Sequence, residues 1–241
     1  MGNCLKTQLK EAVQNENLPI LGKFRISFDN AENVGVGLFI IGEPIDLSEI
    51  SCSGTLTVSK NASNYFIFNG TGVATIGNKY SITNLQSYKG TYSYSEIEYI
   101  PLDSLYFSEN SVINNLNSWD DVNKWSNLTN LRLEKKNLTG TSVELPNLRI
   151  LMLTSITGNL QFYSLGLLQN LTTLQIDGGS LYGTYEDFIR ARRTWQPTGS
   201  ITSGYNIRNT GTTFNGNITG GNITMSWTEN TMTVNGVTID A

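Results

Sequence analysis

The spacing L-x-x-L-x-L occurs twice in WSNLTNLRLEKKNLTGTSVELPNLRILMLTSITGNL, the stretch from Trp125 to Leu160, at Leu128/Leu131/Leu133 and Leu148/Leu151/Leu153. It returns at Leu171/Leu174/Ile176 in LQNLTTLQI and appears earlier at Leu102/Leu105/Phe107 in LDSLYF. The first leucines stand 26, 20 and 23 residues apart. Among a buried helix, a pair of strands and a repeating unit, only a repeat explains four copies held at such a period.

One such unit is a short strand with a return segment. It cannot bury its apolar edge alone, so neighbouring units must stack to form a continuous core. This part of the chain, roughly residues 100 to 185, resembles the leucine-rich repeat family. The first unit fits the fuller signature L-x-x-L-x-L-x-x-N-x-L, with Asn110 and Val112 in the last two places. In the later units Lys136, Ile156 and Gly179 stand where asparagine is expected, so irregular coils without an unbroken asparagine ladder are expected. The resemblance implies a solenoid whose residues between the leucines face the concave sheet.

Composition narrows the function classes. The 241 residues suffice for one or two domains with a substantial core. The net charge of −4, a pI near 4.9 and 15% charged residues argue against a broad nucleic-acid or anionic-membrane surface. No apolar run of about 18 residues is present, so no membrane insertion is expected. The absence of histidine removes every His-dependent triad and His-ligated metal site. Cys4 and Cys52 make no zinc pattern and are expected to be free thiols.

GNITGG and VGVGLF match neither the P-loop nor the full dinucleotide fingerprint, and no cofactor is expected. Carboxylate pairs such as Asp120/Asp121 and Glu96/Glu98 could in principle serve a glycosidase, but such pairs are commonplace, and a non-enzyme is expected. Seven N-x-[ST] sequons occur, at Asn61, Asn69, Asn127, Asn137, Asn170, Asn217 and Asn222; they fit a polar, turn-rich β surface as well as glycosylation. The start MGNCLKTQLKEAVQ has no apolar stretch of signal-peptide length, so secretion by that route is not expected.

The expected fold class is mainly β with short helices: an irregular solenoid with a β-rich N-terminal region and a C-terminal β tail. Residues 1–50 would hold a helix over residues 5–13 and the first strands, residues 51–197 the solenoid, and residues 198–241 the tail. The runs KFRISF, VGVGLFIIG, GTLTVSK, NYFIF and GVATI read as strands divided by turn formers such as Asn69-Gly70; they are either early coils or a separate β unit. Ser118 and Thr184 are placed to cap short helices, with Asp121 and Asp187 three residues on. The helix over residues 184–194 would cap the solenoid, and its RARR is either a solvated face or an anion-binding patch. Asn235-Gly236 marks a hairpin turn. The tail from Gly199 to Ala241 has four main apolar anchors, Tyr205, Phe214, Met225 and Trp227. It therefore needs a partner, either the solenoid's last coil or another copy in a homo-oligomer.

Alternation along the repeat strands exposes Ser104, Tyr106 and Ser108; Asn130, Arg132 and Glu134; Ile150, Met152 and Thr154; Thr173, Gln175 and Asp177. The middle row, Tyr106, Arg132, Met152 and Gln175, reads as a recognition surface or as a face covered by the chain's own termini. The opening MGNCLKTQLKEAVQNENLPILGKFRISF resembles the start of structural proteins of crAss-like bacteriophages that infect Bacteroidetes. That resemblance implies a virion location as a head fibre or capsid surface decoration. Residues 1–28 would dock on capsid or other virion proteins, and a host surface ligand could be contacted. The alternative is a solenoid binding module of a phage tail or bacterium that recognises a cell-surface protein or glycan.

Overall fold

Alternation and stacking together account for most of the architecture. The computed structural model describes residues 22–40, 43–44, 47–62, 65–98, 100–201, 205–215, 221–222, 225–234 and 236–240. The protein is mainly β with short helices. Strands β1 (Gly22–Ile40), β2 (Glu43–Pro44), β3 (Ile50–Cys52), β4 (Thr57–Lys60) and β5 (Tyr65–Ser93) precede helix α1 (Tyr94–Ile97). Then follow β6 (Ser104–Asn114), α2 (Trp119–Asn123), β7 (Asn130–Glu134), β8 (Asn137–Leu138), β9 (Ile150–Gly158), α3 (Phe162–Gly166), β10 (Thr173–Tyr182) and α4 (Tyr185–Arg193). The chain closes with β11 (Gly199–Ile201), β12 (Tyr205–Asn215), β13 (Gly221–Asn222), β14 (Met225–Trp227), β15 (Thr231–Val234) and β16 (Val237–Asp240).

Strands β5, β6, β7, β9, β10 and β12 lie side by side in parallel within one large sheet. Register aligns the repeat: Leu85, Leu105, Leu131, Leu151 and Leu174 stand directly opposite one another, and all are buried. The second column runs Ser87, Phe107, Leu133, Leu153, Ile176 and is buried as well. The other side of this core is closed by Trp119, Val122 and Trp125 around α2, by Phe162 and Leu165 of α3, and by Phe188 and Ile189 of α4.

The N-terminal strands belong to the same sheet. β1 lies between two parts of β5, with Val36 opposite both Phe66 and Leu85. Ile26, Phe28, Val34 and Val36 enter the common core, and Phe28 stacks on Phe68 at 5.0 Å between ring centroids. Residues 22–28 are therefore part of the sheet. The apolar residues of residues 1–21 and the helix expected over residues 5–13 lie outside the described residues. Asn69-Gly70 does not end a strand: it bends β5, with Gly70 at φ +108° and the Asn69 side-chain oxygen accepting from the Asn33 N–H at 2.8 Å.

The boundaries expected at 50/51 and 197/198 do not interrupt the sheet, because β1 pairs with β5 and β12 pairs with β10. The repeat register, expected to stop before Pro197, runs one strand further, with Leu174 opposite Tyr205 and Ile176 opposite Ile207. α4 consequently does not terminate the ladder. Its outer end is packed by a second sheet, ordered β11-β14-β15-β16. Trp227 and Met232 are buried within the chain, and the Trp227 Nε1–H donates to the Gln196 carbonyl at 2.7 Å. Gly199 permits this contact, since a Cβ there would come within 2.4 Å of Trp227 Cζ2. The side chains of Tyr205, Phe214 and Met225 lie outside the described residues. Gly236, at φ +83°, stands between the paired Val234 and Val237, as the hairpin expectation requires; Asn235 lies outside the described residues.

Both helix caps form. The hydroxyls of Ser118 and Thr184 accept from the backbone of Asp121 and Asp187, and those carboxylates return bonds to the cap N–H groups. Two asparagines, each one residue before the first leucine of its unit and not at the place expected, bridge neighbouring return segments. Asn147 Nδ2 donates to the Ser126 carbonyl at 3.2 Å, and Asn170 Nδ2 donates to the Pro146 carbonyl at 2.8 Å. Asn170, a sequon residue, thus has a role in holding one return segment to the next. Truncation of Leu151 to alanine should lower the unfolding free energy by about 2–5 kcal/mol, and Asn170→Ala by about 1 kcal/mol. Urea denaturation measures both, and a Leu151→Ala protein as stable as its parent would remove that leucine from the core.

Candidate functional site

On the sheet face opposite the leucine columns, register brings the expected row together. Tyr106 stands opposite Arg132, Arg132 opposite Met152, and Met152 opposite Gln175. Gln86 extends the row on the N-terminal side, opposite Tyr106. The sequence reading missed Gln86 because its strand reads Leu85-Gln86-Ser87, with serine where the repeat has its last leucine.

The row is internally bonded. The Arg132 guanidinium lies over the Tyr106 ring at 4.5 Å, while its Nη2 and Nε donate to Glu134 Oε1 at 2.7 and 3.1 Å. The Tyr106 hydroxyl donates to the same oxygen at 3.2 Å, and the Glu109 N–H donates to Glu134 Oε2 at 3.3 Å. Tyr88 meets Tyr106 edge-on at 5.2 Å. Burial, and then the Glu134 charge, push the Tyr106 phenol above its usual range, so it stays a neutral donor at pH 7. Arg132 still exposes 49% of its side chain. It is an oriented, charge-neutralised planar donor, held ready at low entropic cost.

Ser108 departs from expectation. It is buried at a bulge in β6, and its hydroxyl donates to the Tyr88 carbonyl. The bulge shifts the frame by one residue, so Ser111 takes the inward place expected for Asn110, and Val112 is exposed. Ser87, Ser111 and Tyr92 form a buried hydroxyl cluster beneath it, with contacts of 2.6 and 2.7 Å from the Ser87 oxygen.

Lys136 stands where asparagine was expected in the second unit. Its Nζ donates to the carbonyls of Ser108 and Glu134 at 2.8 and 2.7 Å. Burial pushes the amine down to about 8, against the opposing pull of Glu134 and Glu109.

Of the carboxylate pairs, Asp121 and Glu98 have structural roles. Asp121 Oδ2 accepts from the Ser118 N–H, the Ser118 hydroxyl and the Asn117 N–H, and Glu98 pairs with Lys124 at 3.0 Å. RARR is neither a solvated face nor an anion patch throughout: Arg192 is buried, donating to the Leu168 and Leu171 carbonyls at 3.2 and 3.1 Å. Arg193 donates to the Glu229 carbonyl of the second sheet. Among the described residues no group of three His, Cys, Asp or Glu could hold a metal ion, and no helix is long and apolar enough to cross a membrane. Comparison with family models, curated proteins and solved structures finds no match to the chain.

The lysine makes a pH prediction. Its folded value near 8 lies below the ordinary 10.5, so between these the unfolded chain binds more protons and stability rises with pH. In chemical denaturation, the stability of the parent relative to Lys136→Met should therefore climb across that window. A constant difference would place the amine in water.

Proposed function

We propose that the chain is a non-enzymatic binding protein, built as an irregular leucine-rich-repeat solenoid and carried on a bacteriophage particle as a head fibre or capsid surface decoration. The observation supporting the solenoid is the register, which sets Leu85, Leu105, Leu131, Leu151 and Leu174 opposite one another along a parallel ladder. Such a ladder repeats its outward side chains about every 4.8 Å and offers a long surface to a partner. Tyr, Arg and Met are the residue types enriched at recognition surfaces, and Arg132 is already oriented by Tyr106 and Glu134. The non-enzymatic reading is supported by the engagement of Asp121, Glu98 and Glu134 in caps and ion pairs.

The virion location rests on the opening residues 1–28, which resemble crAss-like phage structural proteins, together with the polar, Asn/Thr/Gly-rich β composition. Capsid or other virion proteins would be its partners, with a host surface ligand as the outward one. The working unit is a homo-oligomer. Trp227 is satisfied within the chain, so the contact would form at the edge strand β16, where Val237 is 66% exposed.

Mass spectrometry of purified virions should find the chain on the particle. Its absence would favour the module of a tail or bacterium that recognises a cell-surface protein or glycan. A photo-crosslinking amino acid at Met152 should capture a second protein, whereas the same probe at the buried Leu151 should not. Light scattering should give a mass above 26.6 kDa that falls to the monomer value when β16 is removed. A full-length monomer at high concentration would overturn the oligomer.

A further inference from the structure

A second surface lies where α3, the end of β10 and the start of α4 meet, and the sheet-face residues take no part in it. A cleft of about 420 Å³ is lined there by Gln161, Tyr163, Tyr182, Gly183 and Asp187. Tyr163 is 41% and Tyr182 38% exposed, among the most exposed large aromatic side chains described. Both are set on a rigid base. Phe162, next to Tyr163 in the chain, and Phe188, next to Asp187, are fully buried and pack ring to ring at 5.1 Å. The Tyr182 N–H donates to the Leu160 carbonyl at 2.9 Å, and Gln161 bridges Tyr182 as an isolated β pair.

The polar wall is held equally firmly. Asp187 Oδ2 accepts from the Thr184 N–H at 2.6 Å and from its hydroxyl at 3.0 Å, so the carboxylate is fixed before any ligand arrives. Gly183, at φ +105°, keeps the floor between them open, because a Cβ there would meet Asp187 Oδ2 at 2.9 Å.

The chemistry of this lining is selective. Among the described residues no lysine, arginine or histidine lines it, and one carboxylate does, which disfavours phosphate, sulfate and other anions. The backbone N–H groups of Gln161 and Tyr182 are already bonded, to Thr141 and Leu160, so an added peptide strand finds no such donor on either residue. What the cleft offers is aromatic surface beside a planar amide and a fixed carboxylate. The aromatic faces suit the C–H patches of a pyranose ring, and the amide and carboxylate suit neighbouring hydroxyls. We propose that this cleft binds an uncharged saccharide, with Tyr163 and Tyr182 as the stacking platform and Gln161 and Asp187 as the hydroxyl-reading groups. This site is independent of the sheet-face reading and of where the protein resides.

Calorimetry of the full-length protein against cellohexaose, maltohexaose and mannohexaose tests it, with a hyaluronan hexasaccharide as the acidic probe. At least one neutral hexasaccharide should bind, with a dissociation constant on the order of 0.1–1 mM. Tyr163→Ala and Tyr182→Ala should each weaken it about tenfold or more, equivalent to about 1.4 kcal/mol. Tyr163→Trp should retain it, and so should Arg132→Ala on the sheet face. Thermal melts of the two alanine variants should match the parent, as expected for exposed side chains. The proposal is overturned if none of the three neutral sugars binds, if only the acidic one does, if the tyrosine variants bind as well as the parent, or if binding is lost with Arg132→Ala instead.

Discussion

The large sheet of the described residues depends on the parallel hydrogen-bonded ladder that sets each L-x-L strand against the next. A strand of the length of β7 or β10 has one apolar face and cannot bury it alone. Once the ladder forms in register, Leu105, Leu131, Leu151 and Leu174 cover one another's flanks, and only the inner side remains to be closed. Short helices close it with Trp119, Phe162 and Phe188. The same ladder fixes the outer face, because each inward leucine commits its neighbour to the opposite side.

A stacked sheet also has a recurring problem at the corners, where backbone carbonyls leave the ladder and must find donors. The solutions here differ from strand to strand. Lys136 reaches two carbonyls with one amine, Ser87, Ser111 and Tyr92 share a buried hydroxyl cluster, and Asn147 and Asn170 tie return segments together. Arg192 does likewise for the carbonyls of Leu168 and Leu171. Several residues that carry charge or resemble modification sites in the sequence are thereby explained by the demands of the backbone.

The sheet-face row and the tyrosine cleft share one physical property, which is that their polar groups are held by contacts within the chain. Arg132 is fixed by Tyr106 and Glu134, and Asp187 by Thr184. They differ in charge and shape: one is a flat row on a sheet with a neutralised cation, the other a concave cleft with two tyrosines and a carboxylate.

The leucine spacing alone determined that the strands between residues 102 and 176 lie in register, which leucines point inward, and that Tyr106, Arg132, Met152 and Gln175 share one face, because alternation is a local property of a strand. The caps at Ser118 and Thr184 were equally legible, since a cap involves residues only three apart. Other features depended on contacts between distant residues and had no local signature. β5 joins the ladder although Ser87 replaces a leucine, and β12 joins it through Tyr205 and Ile207 without any leucine. The bulge that turns Ser108 inward follows from pairing with β5, and the burial of Arg192 from carbonyls more than twenty residues away. The tyrosine cleft appears only when α3, β10 and α4 are brought together, for Tyr163 and Tyr182 are nineteen residues apart and belong to no repeat position. Periodicity decides which way a side chain points, and only the packed chain decides what it meets there.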